Sequence, residues 1–106
     1  MSENRKNVLL VMADQWPARL MGASGHPFIQ TPTLDQLARN GVRYTNAYSE
    51  CPICIPARRT LMTGTTTRRH GDRVFGTTNP MPGDLPTLAG TFSAAGYQTH
   101  AVGKLH

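Results

Sequence analysis

A chain of 106 residues is long enough for one modest domain and too short for two. Hydrophobic residues make up 39% of the chain and charged residues 16%, a composition that excludes fibrous and disordered proteins. The net charge of +5 would suit an anionic partner, but the basic residues are scattered apart from the pairs Arg58-Arg59 and Arg68-Arg69. Because there is neither a basic stripe nor a recognisable nucleic-acid-binding module, no nucleic-acid partner is predicted.

The first predicted element is a buried strand at residues 7–13, where a continuous Val- and Leu-rich run indicates a strand covered on both faces. Asp14 and Gln15 follow its carboxyl end directly, at the place where open α/β sheets bind ligands. The apolar run is too short for a signal peptide or a membrane span. With no export signal and only 2 cysteines, we expect a cytoplasmic protein without a membrane partner.

Proline near the start and glycine after the end mark the predicted helices. They cover residues 32–40, 55–63 and 86–95. Two further strands are predicted at residues 42–48 and 97–102, and the segment around residues 22–33 is interpreted as a loop. The order of these elements predicts an α/β fold with a mostly parallel central sheet and helices on both of its faces.

The chemically most informative segment is CPICIPARRTLMTG at residues 51–64, which contains both cysteines. As a C-x-x-C motif before a helix, it is compatible with a thiol–disulfide module. A zinc site would need two further ligands, and the spacing of His70 and His100 fits no zinc-finger pattern. The thiol–disulfide hypothesis leaves the Asp-Gln pair at residues 14–15 without a role.

A third hypothesis gives Cys54 a role of its own in an anion-binding module. Cys54 and Arg58 are four residues apart and share one face at the start of the predicted helix. Backbone N–H groups of a first helical turn, together with a forked guanidinium, suit a tetrahedral sulfate- or phosphate-like anion. The alternative is a buried structural cysteine near a helix start.

The pattern CIPAR at residues 54–58, followed by Thr63-Gly64, resembles the signature of the type I sulfatases in the alkaline phosphatase superfamily. Further matches occur in the order of that family. They are the strand that ends in Asp14-Gln15, the RHG segment at residues 69–71 and the GKLH segment at residues 103–106. The resemblance implies an alkaline phosphatase-like fold, with residues 1–106 as the N-terminal part of a sulfatase catalytic domain.

The resemblance further implies that a formylglycine-generating maturation enzyme oxidises Cys54 to formylglycine. The hydrate of this aldehyde would attack the sulfur of a small-molecule sulfate ester, and its second hydroxyl would then expel sulfate, a route that serine lacks. Arg58 would hold the formylglycine, while Lys104 and His106 would bind the sulfate and assist departure of the alcohol. The chain alone is expected to be inactive, because the family is several times longer.

By the same resemblance, Asp14, Gln15 and the residue derived from Cys54 would bind a divalent metal. Oxygen ligands favour Ca²⁺, with Mn²⁺ or Mg²⁺ as alternatives. Many sulfatases have two aspartates where this chain has Asp14-Gln15, and the Asp-Gln form resembles the branch with choline sulfatases and phosphonate monoester or phosphodiester hydrolases. A phosphoryl ester is therefore the alternative substrate. No particular alcohol and no oligomeric state are predicted.

Other side chains near these motifs are interpreted more simply. His70 is given a structural role near a helix end or a role in the site, with equal weight. Trp16 directly follows Asp14-Gln15 and has two interpretations, lining the pocket or packing in the core, of which core packing is preferred for a Trp. Asp35 is expected to be a solvated helix residue. His26 and His100 are interpreted as ordinary histidines.

Overall fold

The computed structural model of the protein describes residues 5–74 and 79–104. Its regular elements are a short 3₁₀ helix at Gly22–Ser24, α1 (Pro32–Asn40), α2 (Cys54–Thr63), α3 (Thr67–His70) and α4 (Leu88–Ala94). The chain divides into two compact units, residues 1–45 and residues 46–106. In the described part of the chain, no helix has the length and apolar character that a bilayer crossing requires.

The predicted helices agree closely with the observed ones. α1 has the predicted bounds, α2 begins one residue before its predicted start, and α4 is shorter than predicted at both ends. Gly64 ends α2 in the left-handed conformation (φ 64°), and its N–H donates to the carbonyl of Thr60 at 2.9 Å. A residue with a Cβ would be strained there, which explains why glycine marks the helix end so reliably. The four-residue α3 was not predicted.

The predicted strands do not form within the described residues. Residues 8–12 are apolar but exposed, as are Val42, Tyr44 and Val102, the last with 99% of its surface accessible. A strand gains its hydrogen bonds from a neighbouring strand, and parallel neighbours are far apart in the sequence. An apolar run therefore indicates where a strand can form but does not supply its partner. The central sheet stays a prediction.

In the first unit, Asp35 fixes the loop before α1, which corrects the prediction that its carboxylate is solvated. Its Oδ1 accepts hydrogen bonds from Ala23 N at 2.7 Å and from Thr31 Oγ1 at 2.8 Å, and the side chain is half-buried. Thr31 Oγ1 in turn accepts from Gly22 N at 3.0 Å. A Cβ on Gly22 would overlap the Asp35 carboxylate, so glycine is needed for this close approach.

The second unit is organised around polar side chains. Its fully or nearly buried residues are Pro56, Thr63, Thr67, His70 and Asp72. No large hydrophobic side chain is buried in the part of the chain that the structure describes. α2 packs against both α3 and α4, and the ring of Phe92 in α4 meets that of Tyr97 edge to face with centroids 5.1 Å apart. The arrangement of α2 therefore depends on directional polar contacts.

Candidate active site

Cys54 is the first residue of α2, and its side chain is half-buried. Ile53 before it is extended (φ −123°, ψ 141°), so the chain turns into the helix at the cysteine. The first helical hydrogen bond runs from Ala57 N to Ile53 O at 2.9 Å. The amides of Cys54 and Ile55 precede it, and Pro56 has no amide hydrogen to satisfy. A helix start of this kind carries partial positive charge, which favours an anion beside Cys54.

Arg58 lies one turn further along α2 and connects this helix to the end of the described chain. Its Nη1 donates a hydrogen bond of 2.5 Å to the backbone carbonyl of Lys104. Gly103, just before, takes a left-handed conformation with φ 101°. The structure thus brings together two of the predicted site residues, Arg58 and Lys104, through the backbone oxygen of the lysine.

Arg59, the neighbour of Arg58, is oriented differently and was missed by the sequence analysis. Its Nη1 lies 2.6 Å from Asp72 Oδ2, and the two side chains are 14% and 0% exposed. The same nitrogen donates to the carbonyl of Asn79 at 2.6 Å, while Asn79 N donates to Asp72 Oδ1 at 3.1 Å. Asp72 Oδ1 therefore accepts a hydrogen bond, whereas the buried Oδ2 is paired with Arg59 by charge and proximity without hydrogen-bond geometry. The helical spacing of Arg59 from Pro56 and Thr63 is the signal that could have identified it.

His70 is buried, with 1% of its surface exposed. Its Nδ1 accepts a hydrogen bond from Asp72 N at 3.3 Å, and its Nε2 lies 3.1 Å from Thr60 Oγ1. Because a backbone N–H can only donate, Nδ1 is the acceptor and the proton of the neutral ring is on Nε2, which donates to Thr60. Of the two roles weighed for His70, this geometry favours the structural one.

In the first unit, Asp14 and Gln15 form an exposed turn after residues 5–13. Gln15 has a left-handed backbone (φ 52°), which is unusual for a residue with a side chain. The two residues, with Trp16 and Ile29, line an open pocket of about 330 Å³. Trp16 is 48% exposed and donates from Nε1 to the carbonyl of Leu20 at 3.1 Å. Of the two interpretations of Trp16, pocket lining is thus confirmed and core packing is wrong.

Three further predicted features concern metal and thiol chemistry. Both cysteines are unbridged, and Cys51 Sγ lies 3.6 Å from the carbonyl of Arg73. Among residues 5–74 and 79–104, no cluster of three or more His, Cys, Asp or Glu side chains could hold a metal ion. His106, predicted to bind the sulfate, lies outside the described residues. Of the predicted metal ligands, Asp14 and Gln15 are the two that lie next to each other, in one turn.

The sequence of this chain is similar to known proteins over nearly its whole length. The family model described as sulfatase matches residues 6–106. An arylsulfatase of Clostridium perfringens is 38% identical over 102 residues, which is 96% of this chain and 21% of that protein. A choline-sulfatase of Rhizobium meliloti is 33% identical over 106 residues, which is 100% of this chain and 20% of that protein.

Another relative is the multifunctional alkaline phosphatase superfamily protein PehA of Trinickia caryophylli, which is 39% identical over 104 residues. That alignment covers 93% of this chain and 20% of PehA. The chain therefore spans about a fifth of the length of these curated relatives. No solved structure matches the chain at a comparable level of significance.

Proposed function

This chain belongs to the sulfatase family, and from that premise we propose that it carries the N-terminal half of the active site of a sulfate ester hydrolase. The family implies an alkaline phosphatase-like fold, and the mostly parallel sheet with helices on both faces is part of the proposal. So is the assignment of residues 1–106 to the N-terminal part of a catalytic domain. The observation that carries it is the hydrogen bond from Arg58 to Lys104, which joins two separate family motifs.

In this proposal Cys54 is the precursor of formylglycine, which supplies an aldehyde hydrate as the nucleophile once a maturation enzyme has oxidised the thiol. The position of Cys54 at the start of α2 supports this role, because the first-turn amides stabilise negative charge there. The guanidinium of Arg58 lies one turn away and keeps a positive charge beside the residue that reacts. Lys104 and His106 bind the sulfate group and assist departure of the alcohol.

We propose that Asp14, Gln15 and the residue derived from Cys54 hold a divalent metal, Ca²⁺ in the first place and Mn²⁺ or Mg²⁺ as alternatives. When bound, the metal polarises the sulfate oxygens. The donor chemistry fits, since a carboxylate and an amide oxygen are ligands that these hard cations accept. The left-handed backbone of Gln15 supports a functional turn, because such strain concentrates at ligand sites. Other ligands come from elsewhere in the complete domain.

A phosphonate monoester or phosphodiester is the second candidate substrate. Gln15, an uncharged residue where many sulfatases have a second aspartate, is the observation that favours it. Both ester classes present a tetrahedral anionic group, so the first turn of α2 and Arg58 serve either one. A thiol–disulfide module is the alternative from another class, and it requires Cys51 to leave the carbonyl of Arg73.

The proposed function is tested on the complete domain, expressed with and without a formylglycine-generating enzyme. Mass spectrometry of the peptide that contains Cys54 should show a lighter, hydrazide-reactive residue after co-expression. Hydrolysis of p-nitrophenyl sulfate should then exceed that of p-nitrophenyl phenylphosphonate, and it should require the converted residue. Faster hydrolysis of the phosphonate would instead support a phosphonate monoester or phosphodiester as the substrate. A Cys51–Cys54 disulfide with no hydrolysis of either ester would support the thiol–disulfide module.

The 106-residue chain alone is expected to show little activity with either ester. It spans about a fifth of its curated relatives and contains only part of the proposed metal ligands. An incomplete ligand shell binds a cation weakly, and the sulfate oxygens are then not polarised. Robust turnover by the isolated chain would contradict this part of the proposal.

A further inference from the structure

The residues of α2 that are buried or that contact buried side chains lie on one side of the helix. Pro56, Arg59, Thr60 and Thr63 recur at the spacing i, i+3, i+4 and i+7, and we call them the anchor face. At 3.6 residues per turn, Cys54 and Arg58 lie on a face that is rotated by roughly 170° from the anchor face. The buried contacts of α2 and the residues that carry the proposed chemistry therefore lie on opposite faces, and on the second face Arg58 adds its own bond to the Lys104 carbonyl.

The anchor face is held by a buried polar network. Arg59 pairs with Asp72 at 2.6 Å and donates to the carbonyl of Asn79, while Thr60 meets the buried ring of His70 at 3.1 Å. Asp72 is itself tied to this network twice, because Asn79 N donates to its Oδ1 and its own N–H donates to His70 Nδ1. The hydrogen bonds of this network depend on direction as well as on distance, and the Arg59–Asp72 ion pair depends on the close approach of two buried charges.

This network restrains the rotation of α2 on its buried side. The buried residues of the helix are Pro56 and Thr63, and no large hydrophobic side chain is buried in the described part of the chain. Apolar packing is non-directional and would tolerate a rotated helix, whereas a buried ion pair does not. A rotation of α2 would break the pair between Arg59 and Asp72 and would leave the carboxylate buried without its charge partner.

We propose that Arg59 and Asp72 are positioning residues for the sulfate ester chemistry at Cys54, an inference that rests on the proposed function. Their ion pair sets the rotation of α2, so that Arg58 reaches the carbonyl of Lys104 and Cys54 is held on the same side. Neither residue contacts the ester. Their effect is on the alignment of the groups that do, where small misplacements have large effects on rate.

The first test measures catalysis in the complete domain, with the formylglycine content of each variant determined by mass spectrometry. The variants Asp72→Asn and Arg59→Met should lower kcat for p-nitrophenyl sulfate roughly ten- to a hundredfold, with kcat divided by the fraction of Cys54 converted to formylglycine. The change in KM should be smaller. Arg59→Lys retains the buried positive charge, so its kcat should be higher than that of Arg59→Met but lower than that of the unmutated domain. The matched control is Asp84→Asn, because the Arg69–Asp84 ion pair is exposed and its loss should change kcat by less than about twofold.

The second test does not depend on activity. In the complete domain, the Asp72→Asn variant should show faster hydrogen exchange of the α2 amides, while the α1 amides exchange as before. The Asp84→Asn variant should show no change in either helix. Circular dichroism reports whether each variant is folded. If Asp72→Asn is unfolded, the same exchange measurement is made on Arg59→Lys. If the unmutated complete domain hydrolyses neither ester, the proposed function fails. The exchange experiment still decides whether Arg59 and Asp72 hold α2 in place. Equal exchange and equal kcat for Asp72→Asn and Asp84→Asn would overturn the inference.

Discussion

Arg58 Nη1 donates a hydrogen bond to the carbonyl oxygen of Lys104, a residue 46 positions later in the chain. The bond ties α2 to the backbone at Lys104, two regions that the sequence connects only through the order of family motifs. A forked guanidinium can bind more than one acceptor at once, and it keeps its charge while it does so. Arg58 is therefore suited to positioning and to charge stabilisation at the same time.

Replacement of Arg58 should separate these two roles. In the complete domain, Arg58→Lys keeps the charge but loses the fork, and Arg58→Ala loses both. We expect kcat to fall by roughly 10²–10³-fold in Arg58→Ala, since that is the usual effect of removing one preorganised donor, and by less in Arg58→Lys. Arg68, exposed on the neighbouring α3, provides the control variant Arg68→Ala. Full activity in Arg58→Ala would remove this residue from the proposed site.

The two cysteines should differ in their importance. Cys54→Ser should abolish formylglycine and turnover, because a serine at this position has no geminal hydroxyl with which to expel sulfate. Cys51→Ser should keep most of the activity, since the Cys51 thiol contacts the carbonyl of Arg73 rather than the start of α2. The measurement is hydrolysis of p-nitrophenyl sulfate together with peptide mass spectrometry. Equal loss in both variants would instead favour chemistry that needs the cysteine pair.

Gln15 should show a trade-off between stability and metal binding. Its left-handed backbone costs a residue with a side chain about 1–2 kcal/mol. Gln15→Gly should therefore unfold with a free energy that is unchanged or higher by up to about 1 kcal/mol, because the greater flexibility of the unfolded glycine chain offsets part of the gain.

The same Gln15→Gly variant removes the amide oxygen, so the Ca²⁺ affinity of the complete domain should fall by tenfold or more, on the order of 1.4 kcal/mol. Denaturant unfolding measures the stability and calorimetric titration the affinity. Gln15→Asn is the matched variant, since asparagine tolerates the left-handed region and retains an amide oxygen on a shorter side chain. Unchanged Ca²⁺ affinity in Gln15→Gly would exclude this residue as a ligand.

Gly22→Ala should destabilise the first unit. The added Cβ would overlap Asp35 Oδ2 and come within 3.1 Å of Asp35 Cγ. The carboxylate cannot move away without losing its hydrogen bonds from Ala23 and Thr31. We expect a loss of about 1–3 kcal/mol in denaturant unfolding, the usual range for an overpacked site. Gly83→Ala is the control, because its Cβ would meet no atom within 4 Å, and a similar loss in both variants would contradict this explanation.

The helices could be predicted because their signals are local. Proline near the start and glycine after the end mark α1 and α2 to within one residue of the observed bounds, since each acts on the backbone of its own turn. The strands have no such local signal, because the hydrogen bonds of a strand are made with a neighbouring strand that lies far away in the sequence.

For the candidate site, spacing identified Cys54 and Arg58 as one face of α2 but missed the role of Arg59. The partner of Arg59, Asp72, lies beyond the end of α2, and nothing in the local pattern couples the two residues. Asp35 was misjudged for a related reason. A carboxylate on the first turn of a helix is usually solvated, and only the fold of the preceding loop brings the N–H of Ala23 to it.

The apolar run at residues 8–12 has a practical consequence for handling the protein. Its side chains are between 45% and 87% exposed, and no strand is formed there in the described structure. A short Val- and Leu-rich segment without charge or proline is a template for intermolecular β-pairing. The purified 106-residue chain should therefore form oligomers as its concentration rises, and a charged gatekeeper such as Val11→Lys should keep it monomeric in sedimentation experiments.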